Sequence, residues 1–250
     1  GIFFICFVKR NIRDNIRIID SSINKTGFLG TLGNKGYVTL SLKINNKIIS
    51  FGTGHFEAGQ NYNESRIDTF KETVQKMRMF GDAWIFVGDL NFRLDLNTSS
   101  VDSLIQKGDF NNLCKFDQFR MEKINYIVFE NVTEGNLNFP PTYKYIIGNK
   151  NYDYNKGRIP SWTDSIFYNH IKDIQILEYK SIQNIMYSDH RPVIGCFYYD
   201  LYKKIKNVKN ERRHLSENKM RNPNKIEDQK KSDINYKQNI NQKKVENEYT

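Results

Sequence analysis

Two short segments about a hundred residues apart carry side chains that could act together on a phosphate ester. They are VGDLNFR at 87–93 and SDHRPV at 188–193. An apolar run precedes the first and another follows the second, which places both at strand ends. Five polar groups could therefore converge on one rim of a sheet: two carboxylates, a carboxamide, an arginine and an imidazole. Such a rim suits metal-assisted attack on a phosphate ester.

The first segment places Asp89 and Asn91 two positions apart. On an extended backbone both side chains point to the same side, so one can polarise a water molecule while the other orients it. Arg93 closes the segment and would bring a cation to the same rim. The alternative is a turn after a strand, because Asp and Asn are common turn residues.

The second segment places Asp189 next to His190. A hard carboxylate suits Mg²⁺. A neighbouring imidazole can hold charge on a phosphoryl oxygen if another carboxylate keeps it protonated. Asp164 opens a further predicted strand and could be that partner. The alternative is a polar loop that enters a strand.

Basic residues in several loops are candidates for binding phosphate. Lys156 and Arg158 are two positions apart, so an extended backbone would point both side chains the same way. Lysine binds phosphate as a point charge, and arginine binds it through the two arms of its guanidinium group. Lys144 follows a rigid Pro-Pro turn. The segment GNKG at 33–36 combines backbone donors with the cation of Lys35. For each, the alternative is a solvated loop or turn.

His55 ends a predicted strand that contains two glycines. Gly52 and Gly54, with Gly59 just beyond, let another group approach closely. The alternative is a strand-end histidine whose hydrogen bonds are satisfied locally. For Trp162 we expect packing in the core.

Six blocks in this order resemble the inositol polyphosphate 5-phosphatase family. They are GNKG, GHFEAG, FVGDLNFRL, PPTYK, KGRIPSWTD and SDHRPV, and the resemblance covers residues 1–200. Metal-dependent nucleases of the same superfamily share the GDxN and SDH elements, whereas GNKG, PTYK and KxRxPSW are additions of the phosphatases. The resemblance implies an α+β fold, a four-layer α/β sandwich of the DNase I type with two packed mixed sheets flanked by helices.

The resemblance also implies catalytic roles. Asp89 and Asn91 would position the attacking water, with Asp89 as its base. His190 would stabilise the transferring phosphoryl group with Asp164 as its partner, and His55 would face the same phosphate. Such a site works by positioning and charge stabilisation rather than through a covalent intermediate.

The same resemblance implies the ligands of the site. Asp189 would serve a Mg²⁺ ion from its outer shell, and the Phe28-Leu29 loop would touch lipid. The substrate-binding side chains would be Lys144, Lys156 and Arg158 at the 4-phosphate, Asn34 and Lys35 at the 1-phosphate, and Arg93 at the rim.

The sequence departs from the family pattern in two places. The family's Asn-bearing strand and a later Gln-Glu, whose Glu is the direct Mg²⁺ ligand, would precede Gly1. Glu57, Glu64 and Glu72 follow the wrong strand to replace that glutamate. We therefore expect a fragment with an open sheet edge and little activity of its own. Ser165 stands where the family usually has Arg.

Composition separates a folded part from a basic tail. The 250 residues are enough for one large domain. Residues 201–250 hold 14 basic and 7 acidic residues and few large apolar ones. We expect a catalytic domain over 1–204 and disorder over 205–250. Three widely spaced cysteines form no disulfide or zinc pattern, which favours a reducing, cytoplasmic compartment.

Periodicity predicts the elements that must position these groups. A helix is predicted over 62–80, with Ile67, Phe70, Val74 and Met77 on one face, and two short helices within 97–126. Residues 20–36 are predicted to be a polar connection. The predicted strands are Ile2–Val8, 37–43, 48–56, 84–87, 142–147, 163–168, 173–179 and 192–199, with a tight hairpin at Ile44–Lys47.

These observations favour a Mg²⁺-dependent phosphatase acting on the 5-phosphate of phosphoinositides or soluble inositol polyphosphates. We expect a monomer that can lie peripherally on a membrane surface. A nuclease of the same superfamily is the first alternative. Residues 1–200 carry 24 basic and 21 acidic residues, too even a balance for a nucleic-acid groove, so no nucleic acid partner is expected. The second alternative is a non-catalytic phosphoinositide-binding module.

Overall fold

The computed structural model describes residues 1–27, 34–81 and 83–201. The predicted tail at 205–250 and the Phe28-Leu29 loop lie outside these residues. The strands are β1 (Ile16–Lys25), β2 (Gly36–Ile44), β3 (Lys47–His55), β4 (Ala83–Asp89), β5 (Val132–Glu134), β6 (Asp164–Asn169), β7 (Ile174–Ser181) and β8 (Val193–Tyr199). The α-helices are α1 (Asn63–Phe80), α2 (Thr98–Gln106), α3 (Phe110–Leu113) and α4 (Gln118–Lys123). Short 3₁₀ turns cover Arg10–Asn15, Cys114–Phe116, Ile127–Phe129 and Asn155–Gly157.

Six strands form one sheet in the order β1-β2-β3-β4-β6-β5, and β7 pairs with β8 in a second sheet. Among the strands of the described residues, only the β3–β4 pair is parallel. The predicted hairpin joins β2 to β3 through Asn45, whose φ of 53° lies in the left-handed region that asparagine tolerates.

The centre of the large sheet is covered on both faces, because β4 alternates its side chains between two clusters. Trp84 and Phe86 join an aromatic core with Phe70 of α1. Ile85 points to the opposite face, where Tyr168 and Phe197 pack edge to face at 5.1 Å between ring centroids. The second contact joins the two sheets. The predicted α+β class with two packed sheets and flanking helices is confirmed.

Helix α1 presents its predicted apolar face to the sheet. Ile67, Phe70, Val74 and Met77 are all buried. The ring of Phe70 lies 5.1 to 6.4 Å from six other aromatic rings, in tilted, edge and stacked arrangements. Such aromatic packing adds to the stabilisation from burial alone, and it holds the strand ends described below. No helix among the described residues has the length and apolar character needed to cross a membrane.

Three predictions of local structure are wrong. Ile2–Val8 forms no strand, and its Phe3 and Phe7 are 80% and 90% exposed. A strand needs a neighbour for its N–H and C=O groups, and no described strand pairs with this segment. Residues 20–36 are not simply a connection, because the strand β1 reaches Lys25 and pairs with β2. Residues 142–147 form isolated bridges rather than a strand. The N–H of Tyr145 donates to the carbonyl oxygen of Asp189 at 2.9 Å instead of to a neighbouring strand.

Candidate active site

Strand register brings His55, Asp89 and Asp164 into one row. His55 is opposite Asp89 across the parallel pair β3–β4. Asp89 is opposite Asp164 across the antiparallel pair β4–β6. Because β6 runs against β4, it begins where β4 ends. Three residues widely separated in sequence therefore meet at one edge of the sheet.

Gly88 allows this row to form. Its φ of +150° is unfavourable for a side chain, and a Cβ atom here would overlap with the carbonyl oxygen of Gly54 on the neighbouring strand. Glycine at this position lets β3 and β4 lie close enough for His55 and Asp89 to interact.

His190 completes the site from the turn before β8. Its Nδ1 lies 2.8 Å from Oδ2 of Asp164, so the predicted pairing of these two residues is present. Its Nε2 lies 3.9 Å from Oδ2 of Asp89. The same Asp89 oxygen lies 3.3 Å from Nε2 of His55. Asp89 is thus placed between two imidazoles, with about a quarter of its side chain exposed to solvent.

Two threonines that the sequence analysis left without a role hold Asp164. The hydroxyls of Thr142 and Thr163 donate to Oδ2 of Asp164 at 2.7 and 3.0 Å. Both threonines are fully buried. They lie within the PPTYK and KGRIPSWTD blocks, so the blocks contained the signal, but only the fold shows where the hydroxyls point. The result is a fixed carboxylate that orients the ring of His190.

The charges of the row act on one another. Burial alone would lower the pKa of His190, but the hydrogen bond and charge of Asp164, with the charges of Asp89 and Asp189, outweigh it and raise that pKa. Burial alone would raise the pKa of Asp89, but the two imidazoles and Lys35 outweigh it and lower that pKa. The site therefore favours an ionised Asp89 facing a protonated His190.

Lys35 lies beside His55 at the end of the row. Its Nζ is 2.8 Å from Nε2 of His55 and donates to the carbonyl oxygen of Phe56 at 2.7 Å. Burial lowers the pKa of this ammonium, with partial opposition from the charges of Asp89 and Glu57. Its sequence-based assignment to the 1-phosphate stays a prediction, as does that of its exposed neighbour Asn34.

Asn91 is anchored by protein groups on both sides of its carboxamide. Its φ of 58° turns the backbone, so the extended Asp-x-Asn geometry expected from sequence is wrong. Its Nδ2 donates to the carbonyl oxygen of Phe56 at 3.1 Å, and its Oδ1 accepts from Arg93. The backbone N–H of Asn91 donates to Oδ1 of Asp89 at 3.2 Å. Asn91 thus fixes the conformation of the loop that carries Asp89.

A basic pocket adjoins this row. Its volume is about 270 Å³, and it is lined by Gly59, Gln60, Arg93, Lys156, Gly157, Arg158 and Ile159. The extended backbone expected for Lys156 and Arg158 is wrong, because Lys156 has a φ of 60° inside a 3₁₀ turn. Their side chains nevertheless line the same pocket. With Arg93 they supply three cations for an anionic ligand.

Tyr143 connects the pocket to the row and was not identified from sequence. Its ring centroid is 4.4 Å from that of His190. The guanidinium groups of Arg93 and Arg158 lie over the same ring, at 4.9 and 5.8 Å from its centroid. One aromatic side chain therefore contacts both the imidazole and two of the pocket cations.

Lys144 and Asp189 lie outside the two groups described so far, and their assignments to the 4-phosphate and to the outer shell of Mg²⁺ stay predictions. Lys144 forms an ion pair with Asp153 at 2.8 Å, which raises the pKa of its ammonium, and it does not line the basic pocket. Among the described residues, the group whose ligand atoms lie within 4.8 Å of one another is Asp89, Asp164 and His190, and Asp189 is not part of it. The fold, rather than adjacency in sequence, selects these three groups.

Asp164→Asn is expected to lower the pKa of His190, because the substitution removes the charge that favours the imidazolium. The ion pair raises that pKa in the folded state, so its contribution to stability is present at low pH and is lost as pH rises through the raised pKa. The pKa can be followed by the NMR shift of the imidazole C–H. The control is Asp68→Asn, which changes an aspartate of α1 whose side chain is 65% exposed. An unchanged titration of His190 would show that Asp164 does not hold its proton.

Comparison with known proteins identifies a family and relatives of this chain. The model of a family described as endonuclease/exonuclease/phosphatase family 2 matches residues 1–196. A phosphatidylinositol 4,5-bisphosphate 5-phosphatase of Saccharomyces cerevisiae is 33% identical over 79% of this chain and 22% of its own length. Synaptojanin of Caenorhabditis elegans is 31% identical over 81% of this chain and 19% of its own length. The chain thus spans about a fifth of these two relatives.

Solved structures share the fold. The inositol polyphosphate 5-phosphatase domain of SPsynaptojanin, in complex with inositol (1,4)-bisphosphate and a calcium ion, superposes with a TM-score of 0.65 at 28% identity, over 83% of this chain and 65% of that one. A nitrophorin of Cimex, as a ferrous NO complex, gives a TM-score of 0.63 at 27% identity, over 78% and 67%. Because the same fold occurs in a 5-phosphatase domain and in a nitrophorin, function has to be argued from the site.

The resemblance to inositol polyphosphate 5-phosphatases that the six blocks predicted is confirmed by these relatives. The row of His55, Asp89 and Asp164 lies inside the matched region, as do His190 and the basic pocket. The chain belongs to the endonuclease/exonuclease/phosphatase family 2, and the relatives that it matches are inositol polyphosphate 5-phosphatases.

Proposed function

We propose that this protein is a Mg²⁺-dependent phosphatase that removes the 5-phosphate from phosphatidylinositol polyphosphates or soluble inositol polyphosphates. The observation that carries the proposal is the contact of Tyr143 with both His190 and the pocket cations. This contact links the row of His55, Asp89 and Asp164, which would activate water, to a pocket that would bind a second phosphate. A substrate with two phosphate groups on neighbouring ring positions fits this arrangement.

Asp89 supplies the base. Its carboxylate is held ionised by the surrounding cations and faces the open edge of the sheet. An ionised carboxylate can orient a water molecule and accept its proton as the oxygen attacks phosphorus. The attack breaks the bond between phosphorus and the inositol oxygen, which takes a proton from solvent water and leaves as a hydroxyl, while Asp89 holds the proton of the attacking water.

His190 stabilises charge on the transferring phosphoryl group. Asp164 accepts from Nδ1, so Nε2 is the nitrogen turned toward Asp89 and the open edge. A protonated Nε2 can donate to a phosphoryl oxygen as negative charge builds up on it. The ammonium of Lys35, 2.8 Å from Nε2 of His55, adds positive charge on the same side of Asp89.

The basic pocket binds the neighbouring phosphate and so positions the reacting one. Arg93 is buried and fixed by Asn91, whereas Arg158 donates to the hydroxyl of Tyr143. Guanidinium groups held in place lose little freedom when they bind phosphate, which favours an accurately oriented substrate.

The residues present fit a hard divalent ion. Asp89 would offer a carboxylate oxygen, because its ligand atom lies within 4.8 Å of those of Asp164 and His190. Asp189 would serve the ion from its outer shell. Mg²⁺ commonly takes only one or two protein carboxylates, with water and substrate phosphates completing its coordination. Oδ2 of Asp164 already contacts three protein groups, which leaves this aspartate as an orienting residue. When bound, Mg²⁺ would neutralise phosphate charge and lower the pKa of bound water.

The proposal extends to where the protein acts. A cytoplasmic monomer that visits membranes peripherally is consistent with a phosphoinositide substrate.

Phosphate release by the longest natural form of the protein tests this function. We expect Mg²⁺-dependent release from inositol 1,4,5-trisphosphate and from phosphatidylinositol 4,5-bisphosphate, and none from substrates that lack a 5-phosphate. Chelation of the metal should stop the reaction. No release from any 5-phosphorylated inositide would contradict the proposal. Cleavage of abasic duplex DNA instead would assign the site to a nuclease.

A further inference from the structure

Two neighbouring loops expose a cluster of large apolar side chains next to the active site. Ile146 and Ile147 are 46% and 65% exposed, and Ile185 and Tyr187 are 41% and 94% exposed. We call these four residues the apolar rim. Exposed apolar residues occur singly on most proteins, but a group of four on adjoining loops indicates a surface that contacts something.

Backbone contacts hold the two loops together. Gly148 donates its N–H to the carbonyl oxygen of Met186 at 2.8 Å. The buried guanidinium of Arg191 donates to the carbonyl oxygens of Ser188 and Asn149, one from each loop. It also lies over the ring of Tyr145, 3.8 Å from its centroid. The rim is therefore presented on a fixed frame, so inserting it into a partner costs little additional ordering.

The same loops carry the catalytic groups. Tyr187 precedes His190 by three residues, and Ile146 follows Tyr143 by three. Tyr145 binds the carbonyl oxygen of Asp189 through its N–H at 2.9 Å. A surface into which the apolar rim inserts would therefore lie beside the imidazole of His190 and the basic pocket.

Charge near the rim identifies the kind of surface. Residues 144–158 hold four cations and one carboxylate, and that carboxylate, Asp153, is paired with Lys144. Lys150 is exposed in the loop that carries Ile146 and Ile147. Apolar side chains with an exposed cation in the same loop, and with the basic pocket following it, match a membrane with anionic headgroups above its hydrocarbon. A tyrosine at the edge suits the headgroup level, where its ring is buried and its hydroxyl stays hydrated.

We propose that the apolar rim inserts into the interface of an anionic lipid membrane and holds the active site against it. The proposal rests on the proposed function only in that it explains how a lipid substrate would reach the pocket. Membrane binding itself needs no catalysis.

Vesicle binding tests the proposal directly. The probe is vesicles of phosphatidylcholine and phosphatidylserine in equal parts, without phosphoinositide. The double variant Ile147→Ser/Tyr187→Ser should bind these vesicles about tenfold more weakly than the parent chain, because two apolar side chains no longer enter the bilayer. The matched control is Ile127→Ser, which removes an isoleucine that is 89% exposed and lies in the 3₁₀ turn packed against α1. It should bind like the parent. The basic residues of 201–250 are the same in all three proteins.

Insertion depth provides a second measurement. Tyr187→Trp should be quenched by lipids brominated on their acyl chains, whereas Ile127→Trp should not. The native Trp84 and Trp162 are buried, so they give an unquenched background. Quenching at position 187 supports the proposal even if the double variant folds poorly.

The outcomes separate this proposal from the enzymatic one. Equal vesicle binding by the parent and the double variant, with no quenching at position 187, would overturn it whether or not phosphate is released. A dimer that dissociates with Ile147→Ser and does not bind vesicles would assign the rim to a second copy of the chain. Vesicle binding without phosphate release would leave the rim assigned and reject the proposed activity.

Discussion

Asp89→Asn is expected to lower the rate of phosphate release about a thousandfold while leaving the fold intact. The amide keeps the shape of the side chain but can neither accept the proton of water nor balance the surrounding cations. A coupled assay of phosphate release with phosphatidylinositol 4,5-bisphosphate measures the effect. The control is Asp68→Asn, an exposed aspartate on α1 that pairs with Lys71. It should leave the rate unchanged.

A second readout does not depend on activity. The charge of Asp89 helps to raise the pKa of His190, so its removal should lower that pKa. A titration by NMR can be done on protein that is otherwise inactive. If release persisted within a few-fold and the titration of His190 did not move, another group would have to be the base.

Gly88→Ala is expected to lower the free energy of unfolding by about 4 kcal/mol. The added methyl group would overlap with the carbonyl oxygen of Gly54, which belongs to a paired backbone and cannot rotate away. The positive φ of 150° adds backbone strain. Urea denaturation with a common m-value gives the change in free energy.

Gly108→Ala is the matched control for this substitution. Gly108 also has a positive φ, of +65°, but a Cβ atom there would meet no heavy atom within 4 Å. The control should therefore show the cost of the backbone conformation alone, about 1 kcal/mol. Equal losses in the two variants would mean that the close approach of β3 and β4 does not depend on glycine. A greater loss at position 88 should be accompanied by lower activity, because β4 carries Asp89.

Several elements could be predicted from the sequence because their apolar periodicity is strong. Helix α1 has its apolar residues where a period of 3.6 places them, and the β2–β3 hairpin follows from alternating strands around Asn45. The strand predicted for Ile2–Val8 has the same apolar character, yet it is unpaired in the structure. A strand is completed only by a neighbour, and the pairing partner cannot be read from the segment itself.

The candidate site could also be predicted only in part from the sequence. The blocks identified His55, Asp89, Asp164 and His190 as residues able to handle phosphate, and the structure places all four together. The geometry assumed for Asn91 and for Lys156 was wrong, because both adopt positive φ angles that single-sequence reasoning did not anticipate. Thr142 and Tyr143 were missed because their roles depend on partners at positions distant in the chain.

The sequence by itself determined the chemical groups of this protein, the family that it resembles, and the strand ends from which those groups project. Residue type and local order are sufficient for that, since pKa ranges, hydrogen-bonding capacity and periodicity are properties of short segments. Only the tertiary structure decided that Lys144 pairs with Asp153, that Lys35 reaches His55, and that Tyr143 joins the imidazole to the basic pocket. These contacts depend on sheet register and on packing between distant segments, which set distances of a few ångströms that no short stretch of sequence encodes.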